Sequence, residues 1–288
     1  MNSYKGFIYA IISSAAFGLG PTFAKIAYMN GSNSTSLLMF RFLIAFILLL
    51  AYLLIKRVSI KIDRKQLLML FLIGILGYTI TTETLFLSYV YLDGGLATTL
   101  HFTYPVIICV FSFFAYKEKV SRGKIISIIT ASLGVYSLVA FESTTLNTFG
   151  VILALISGVT YAGTVIGLGL KPIKLMDNKI ATMYVSFGAF IGMAIYGLTR
   201  GEIAWVCNLP VIGSYFGIAI ISTIVPIVLL LKAIESIGAT SATILATFEP
   251  IVSIICGVIF FSEKLSFALI IGTLLIIASA IILAKDKG

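Results

Sequence analysis

Five ionisable side chains stand within long apolar stretches of this sequence, away from its basic segments: Lys25, Arg41, Glu83, His101 and Glu249. An ionised group in hydrocarbon costs about 2.5–3.5 kcal/mol on insertion scales, so each needs a partner, a cavity or a ligand. Glu249 lies near the middle of its stretch. A carboxylate there either meets an ammonium group or takes up a proton, or it is a structural acid bonded to a neighbouring helix. Glu83, in Thr81-Thr82-Glu83-Thr84, is read either as a second site carboxylate or as half of a buried ion pair with Arg41 or Lys25. Arg41 carries a planar fork suited to a carboxylate, while Lys25 reads as an anchor whose stem snorkels to the interface. His101, the single histidine, is either a proton shuttle or a hydrogen-bonded packing residue. Tyr78, Tyr104 and Tyr161 place hydroxyls near the centres of their stretches, and an aromatic face beside a carboxylate suits an amine. The candidate substrate-binding set is therefore Glu249, Tyr104, Tyr78, Glu83, Tyr161, Arg41 and His101.

These residues sit in a chain that reads as a membrane protein. Apolar residues make up 60% of it and charged residues 11%, against about 45–50% and 25% in soluble domains. Runs long enough to cross a bilayer core of about 30 Å fall near 6–28, 34–55, 67–90, 94–116, 123–141, 148–169, 179–199, 210–232, 239–261 and 265–284. The run after Lys5 is longer than a signal-peptide core of about 7–15 residues, so the first span is expected to stay in the mature protein. Short connections leave no room for an extramembrane catalytic domain. One histidine, no metal-ligand cluster and no phosphate-cradling glycine loop point away from an enzyme, a metal or any other cofactor. The cysteines Cys109, Cys207 and Cys256 form no C-x-x-C pair, and those inside spans read as packing residues.

The net charge of +9 is a topology signal rather than a nucleic-acid footprint. With the N-terminus inside, sixteen of the 20 Lys and Arg face the cytoplasm, many of them in 56–65, 117–124 and 171–179. That is the positive-inside bias. It predicts a multi-pass protein of the cell membrane with both termini cytoplasmic and basic loops near anionic lipid headgroups. Trp205, the single tryptophan, reads as an anchor at the outer interface.

The chain also repeats itself. Residues 91–121 align without a gap on 236–266 at an offset of 249 − 104 = 145. Ala97-Thr98 falls on Ala242-Thr243, Leu100 on Leu245, Pro105 on Pro250, Glu118-Lys119 on Glu263-Lys264, and Tyr104 on Glu249. At an offset of 144, Gly6, Ile8, Ala10, Ile12 and Ser13 fall on Gly150, Ile152, Ala154, Ile156 and Ser157. Five spans per half is an odd number, so the second copy enters the membrane from the opposite side. The expected fold is all-α, ten transmembrane helices in two inverted five-helix repeats, residues 1–145 and 146–288. In such proteins the site lies at the seam between repeats, marked by interrupted helices. Pro21, Pro105, Pro226 and Pro250 inside spans are candidate kinks, and Gly18, Gly20, Gly74, Gly77, Gly163, Gly167 and Gly169 are expected to admit close helix approach.

An apolar span with Pro, then an E-K pair, then a Gly-containing span occurs twice: Tyr104-Pro105, Glu118-Lys119 and Gly134, then Glu249-Pro250, Glu263-Lys264 and Gly272. Together with Lys25 and Arg41-Phe42, this order resembles two copies of the EamA domain of the drug/metabolite transporter superfamily, over nearly the whole chain. Glu83 departs from that pattern, which has a small or apolar residue there. The resemblance implies a ten-helix inverted-repeat carrier for small organic solutes, of a kind that often exports amino acids, amines or toxic compounds. The expected function is a secondary transporter of a small amine-bearing metabolite such as an amino acid, working by alternating access, with proton coupling as one mode. An exporter of organic cations or drugs and a passive channel are the alternatives, although no like-charge ring or filter motif is visible.

Overall fold

Lipid offers no hydrogen-bond partners, so a chain this apolar must satisfy its backbone internally, and every regular element among the described residues is helical. The structure is a computed structural model and describes residues 3–116, 121–140, 147–174, 176–246 and 248–285. The first half runs α1 (Ser3–Gly18), α2 (Gly20–Met29), α3 (Ser34–Ile55) and α4 (Arg64–Leu72). α4 passes through a π-helical turn at Ile73–Tyr78 into α5 (Thr79–Tyr91), followed by α6 (Gly94–His101), α7 (Tyr104–Tyr116) and α8 (Arg122–Ala140). The second half begins with α9 (Thr148–Leu168), the short α10 (Lys171–Lys174) and α11 (Asn178–Arg200). α12 (Leu209–Ala219) then passes through a second π turn at Ile220–Ile224 into α13 (Val225–Ala246), before α14 (Phe248–Phe261) and α15 (Phe267–Lys285).

Six helical segments are long and apolar enough to cross a membrane by length and composition: Tyr4–Met29, Ser34–Ile55, Arg64–Tyr91, Thr148–Leu168, Asn178–Arg200 and Leu209–Leu230. The chain is a multi-pass membrane protein. Its helix starts carry side-chain caps that supply the acceptors early N–H groups need. The Asn33 side chain accepts from Ser36 N, Asp63 from Gln66 N, Asp177 from Lys179 N and Asn208 from Val211 N. Asn33 and Asp177 are 144 residues apart and Asp63 and Asn208 are 145 apart, so the caps repeat with the sequence.

Packing repeats as well. The main partners are α1 with α13, α5 with α9, α3 with α11, α6 with α14 and α8 with α15. Each pair joins one half to the other, and exchanging the halves maps α1 with α13 onto α9 with α5 and leaves α3 with α11 and α8 with α15 as they are. Glycine sets the closest approaches: a Cβ on Gly74 would lie 2.6 Å from the Val185 carbonyl oxygen, and one on Gly18 would lie 2.7 Å from that of Glu249. Gly163 does not share this role, because nothing lies within 4 Å of a Cβ placed there.

The interruptions differ from a simple proline pattern. Pro21, Pro105 and Pro250 each fall in the first turn of α2, α7 and α14, where a missing N–H costs nothing, while Pro226 directly follows the second π turn inside an unbroken helix. The bends are instead two π turns and the short gap between α6 and α7. The π turns fall at matching places, since 73 + 145 = 218 and 78 + 145 = 223 overlap Ile220–Ile224. They are sealed the same way: Thr79 Oγ1 donates to the Gly74 carbonyl at 3.1 Å, and Thr223 Oγ1 to that of Ile218 at 2.9 Å, both five residues back. The connection expected near 233–238 is part of α13, where a single glycine among helix-forming residues is no stop signal. The Glu118-Lys119 pair and the expected boundary at 145/146 lie outside the described residues.

Candidate functional site

The two π turns and the α6–α7 gap converge on a cavity of about 360 Å³ between the halves. It is lined by Arg41 of α3, Tyr78 at the end of the first π turn, His101 of α6, Tyr104 of α7, Tyr161 of α9 and Glu249 of α14. Six of the seven residues singled out in the sequence thus line one space. Glu83, the seventh, is not among the lining residues. It is buried, accepts from Ser34 Oγ at 2.6 Å and Thr35 Oγ1 at 3.3 Å, and its Oε2 has no partner among the described residues. The expected ion pair with Arg41 or Lys25 is absent among the described residues, because α5 turns Thr82 and Phe86 to the cavity and Glu83 to the start of α3.

Arg41 reaches across the seam. Its Nε donates to Thr223 Oγ1 at 2.8 Å, and its guanidinium carbon lies 5.5 Å from the centre of the Phe86 ring, within cation–π range. Since the Thr223 hydroxyl gives its proton to Ile218, it can only accept from Arg41. His101 Nδ1 lies 2.8 Å from Ser157 Oγ, a hydroxyl that also reaches the Ala154 carbonyl at 2.6 Å; with the hydroxyl proton on that carbonyl, Nδ1 donates and Nε2 is the ring's acceptor. The imidazole packs 5.2 Å from the Tyr161 ring and 5.7 Å from that of Tyr104, and the two tyrosines meet edge to face at 4.8 Å. Glu249 stands in the first turn of α14, where a negative charge is favoured by the helix dipole. It has no hydrogen-bond or ion-pair partner among the described residues, whose ion pairs are Lys25–Asp93, Lys25–Glu263 and Arg200–Glu202.

Lys25 is committed elsewhere. Its ammonium pairs with Glu263 and stands 3.8 Å from Asp93, while Glu263 also accepts from Gly94 N at 3.1 Å. This knot joins α2 and the start of α6 to the α14–α15 corner, replacing the snorkelling anchor expected of Lys25. It closes the end of the molecule where α3 starts and α11 finishes. The cavity wall continues towards the other end, through Leu168, Ile173, Asn178 and Thr182.

The repeat offsets sort the lining into pairs, of which the sequence alone pointed only to Tyr104 with Glu249. At the 145 offset Tyr78 matches Thr223, His101 matches Ala246, and Tyr104 matches Glu249. At the 144 offset, which the caps Asn33 and Asp177 set for α3 and α11, Arg41 matches Val185, and Phe17 matches Tyr161. All ten residues line the cavity. Thr223, Val185 and Phe17 were missed because they are ordinary membrane residues by type, although carrying the two offsets beyond Tyr104 would have found them.

Comparison with known proteins fits this architecture. The profile of the EamA-like transporter family matches residues 4–140 and again 148–285, and the chain belongs to that family. It is similar to an uncharacterized inner membrane transporter, YicL, of Salmonella typhimurium, with 26% identity over 293 residues, 98% of this chain and 96% of that one. An uncharacterized transporter of Archaeoglobus fulgidus is 26% identical over 232 residues, 79% of this chain and 81% of its own. Protein PecM of Dickeya dadantii is 21% identical over 224 residues, covering 75% and 73%. A protein known from its crystal structure, 14% identical, superimposes with a TM-score of 0.64 over 97% of this chain and 96% of that one, so the fold is shared. The family is one of transporters.

Proposed function

We propose that the protein is a secondary transporter that exports a small amine-bearing metabolite across the cell membrane by alternating access. The observation that carries this reading is Glu249, a carboxylate with no hydrogen bond or ion pair among the described residues, held in a cavity walled by Tyr78, Tyr104 and Tyr161. An ammonium group neutralises such a carboxylate, and the ring faces favour a cation beside it. Ten spans in two inverted five-helix repeats, with both termini cytoplasmic, are the topology proposed. It is supported by the two family matches, the exchange-symmetric packing and the lysine and arginine asymmetry. In that orientation the Lys25–Glu263 knot bars the outer end and the cavity wall runs towards the cytoplasm, as in an inward-facing state. Gradients supply the energy, with Glu249 as the group that would exchange a substrate ammonium for a proton.

The test is Glu249→Gln, which keeps shape but not charge. Expected is loss of uptake by proteoliposomes and of stabilisation by amines, in a protein that still folds and inserts; near-normal transport would remove Glu249 from the site. For topology, cysteines placed within 56–66 should label only from the cytoplasm and those within 200–209 only from outside. Labelling of 56–66 from outside intact cells would overturn it. The aromatic walls also suit a bulkier organic cation, and saturable counterflow of amines against quaternary ammonium compounds separates the two substrates.

A further inference from the structure

The cavity holds a second charge that an amine does not use. Of the five N–H donors on the Arg41 guanidinium, the one on Nε is given to Thr223, and the four on its two Nη atoms meet no protein acceptor among the described residues. No carboxylate among the described residues lies within 4.0 Å of it: Glu83 is bonded to Ser34 and Thr35, Glu263 to Lys25, and Glu249 stands elsewhere in the cavity wall without an ion pair to it. Arg41 is therefore a fixed guanidinium whose end-on edge faces the same space as Glu249. A planar pair of N–H donors of this kind matches the two oxygens of a carboxylate.

From this geometry we infer that the substrate is a zwitterion whose carboxylate sits on Arg41 while its ammonium sits on Glu249, and that Thr223 is the positioning residue that aims Arg41. The inference rests on the amine reading above and adds the acid. A ligand with only an ammonium group would bring a like charge towards Arg41 and leave its Nη donors unmatched in a cavity of low polarity, which is costly. A zwitterion satisfies both protein charges with no net charge transferred into the membrane. The aim of Arg41 comes from the second repeat. The π turn at Ile220–Ile224 lets Thr223 donate to a carbonyl five residues back, which turns its lone pairs to Arg41 and blocks the side edge of the fork. Position 185, the repeat partner of Arg41, is a valine, so the lining has one carboxylate seat among the described residues and the zwitterion binds in one orientation.

The experiment uses purified full-length protein, with thermal stabilisation and binding measured for the twenty amino acids. For each that binds, the matched carboxamide, decarboxylated amine and N-acetyl derivative are measured as well. The carboxamide and the amine are expected to bind at least about tenfold more weakly than the free amino acid, as for loss of one hydrogen-bonded charge partner. Carboxamide or amine binding equal to that of the acid overturns the inference and leaves the amine reading standing. N-acetyl derivatives binding as well as the free amino acids overturn the amine reading, and no binding by any amine or amino acid overturns both. In proteoliposomes Thr223→Val is expected to raise KM for the amino acid about tenfold with kcat little changed, and Thr223→Ser to restore it. A Val variant that loses amount or stability with unchanged KM, or a Ser variant no better than Val, removes Thr223 from the positioning role.

Discussion

The two repeats contribute the same scaffold to the cavity and different chemistry. Helix caps, π turns and principal packing partners recur at offsets of 144 or 145 residues. At the lining itself the copies part: arginine faces valine, glutamate faces tyrosine, histidine faces alanine, and tyrosine faces phenylalanine. A duplicated frame is kept because each helix buries itself against the other half, so a change in one copy is felt by both. A small solute has no two-fold symmetry, so the side chains that meet it have no reason to match. The ends of the molecule divide similarly. Lys25 ties one end together, and its partner at the 144 offset is Gly169, which brings no cation to the other.

The largest effect expected from breaking this asymmetry is at the Glu249/Tyr104 pair. Glu249→Gln should lower transport by about 100-fold, the scale for truncating one side of a desolvated charge pair, with membrane insertion unchanged. Uptake within a few-fold of wild type would leave the glutamate a scaffold residue.

Next comes the tie at one end. Lys25→Ala leaves Glu263 buried without its cation, a costly state, and should shift the protein away from the closed end. In a Cys207→Ser background, which removes the exposed native thiol, a cysteine at Ser222, in the cavity wall, should then react about tenfold faster with a membrane-impermeant thiol reagent added outside, a shift of about 1.4 kcal/mol. The exchanged pair Lys25→Glu/Glu263→Lys should recover part of the protection. Equal labelling in all three proteins would show that the pair does not gate.

Smaller effects separate close packing from open space. Gly74→Ala meets the Val185 carbonyl at 2.6 Å and the Ala189 backbone nitrogen at 2.9 Å, and should cost about 1–3 kcal/mol by overpacking. Gly163→Ala should be neutral or stabilising by up to about 1 kcal/mol. Thermal unfolding in detergent ranks the two, and a reversed order would contradict the helix contacts described.

The smallest effect on transport is expected at Glu83, the carboxylate outside the cavity. Glu83→Gln keeps an acceptor for Ser34 and Thr35 and should leave KM unchanged, while stability shifts by about 1 kcal/mol. A collapse of transport there, with Glu249→Gln active, would exchange the roles of the two acids.

Much of this was legible in the sequence because the membrane imposes simple rules. Apolar runs must be helices, and an intramembrane charge must have a use, so Arg41, His101 and Glu249 stood out by type alone. Lys25 stood out too, but its partners Asp93 and Glu263 lie 68 and 238 residues away along the chain (93 − 25 and 263 − 25), and no local pattern links them. Thr223 carried no signal of its own, since a threonine in an apolar run most often bonds its own helix.

The membrane class, the duplication and the set of charged candidates follow from residue types and spacing, because hydropathy and a 145-residue period need no knowledge of contacts. Which carboxylate faces the cavity was decided only in three dimensions. A helical wheel assumes 3.6 residues per turn, and the π turn at Ile73–Tyr78 inserts one more, rotating all that follows by about 100°. That rotation, invisible in the sequence, sends Thr82 and Phe86 to the cavity and Glu83 to the hydroxyls of α3. The same kind of turn in the second repeat brings Thr223 beneath Arg41, so the aim of the guanidinium belongs to the packing of one half against the other.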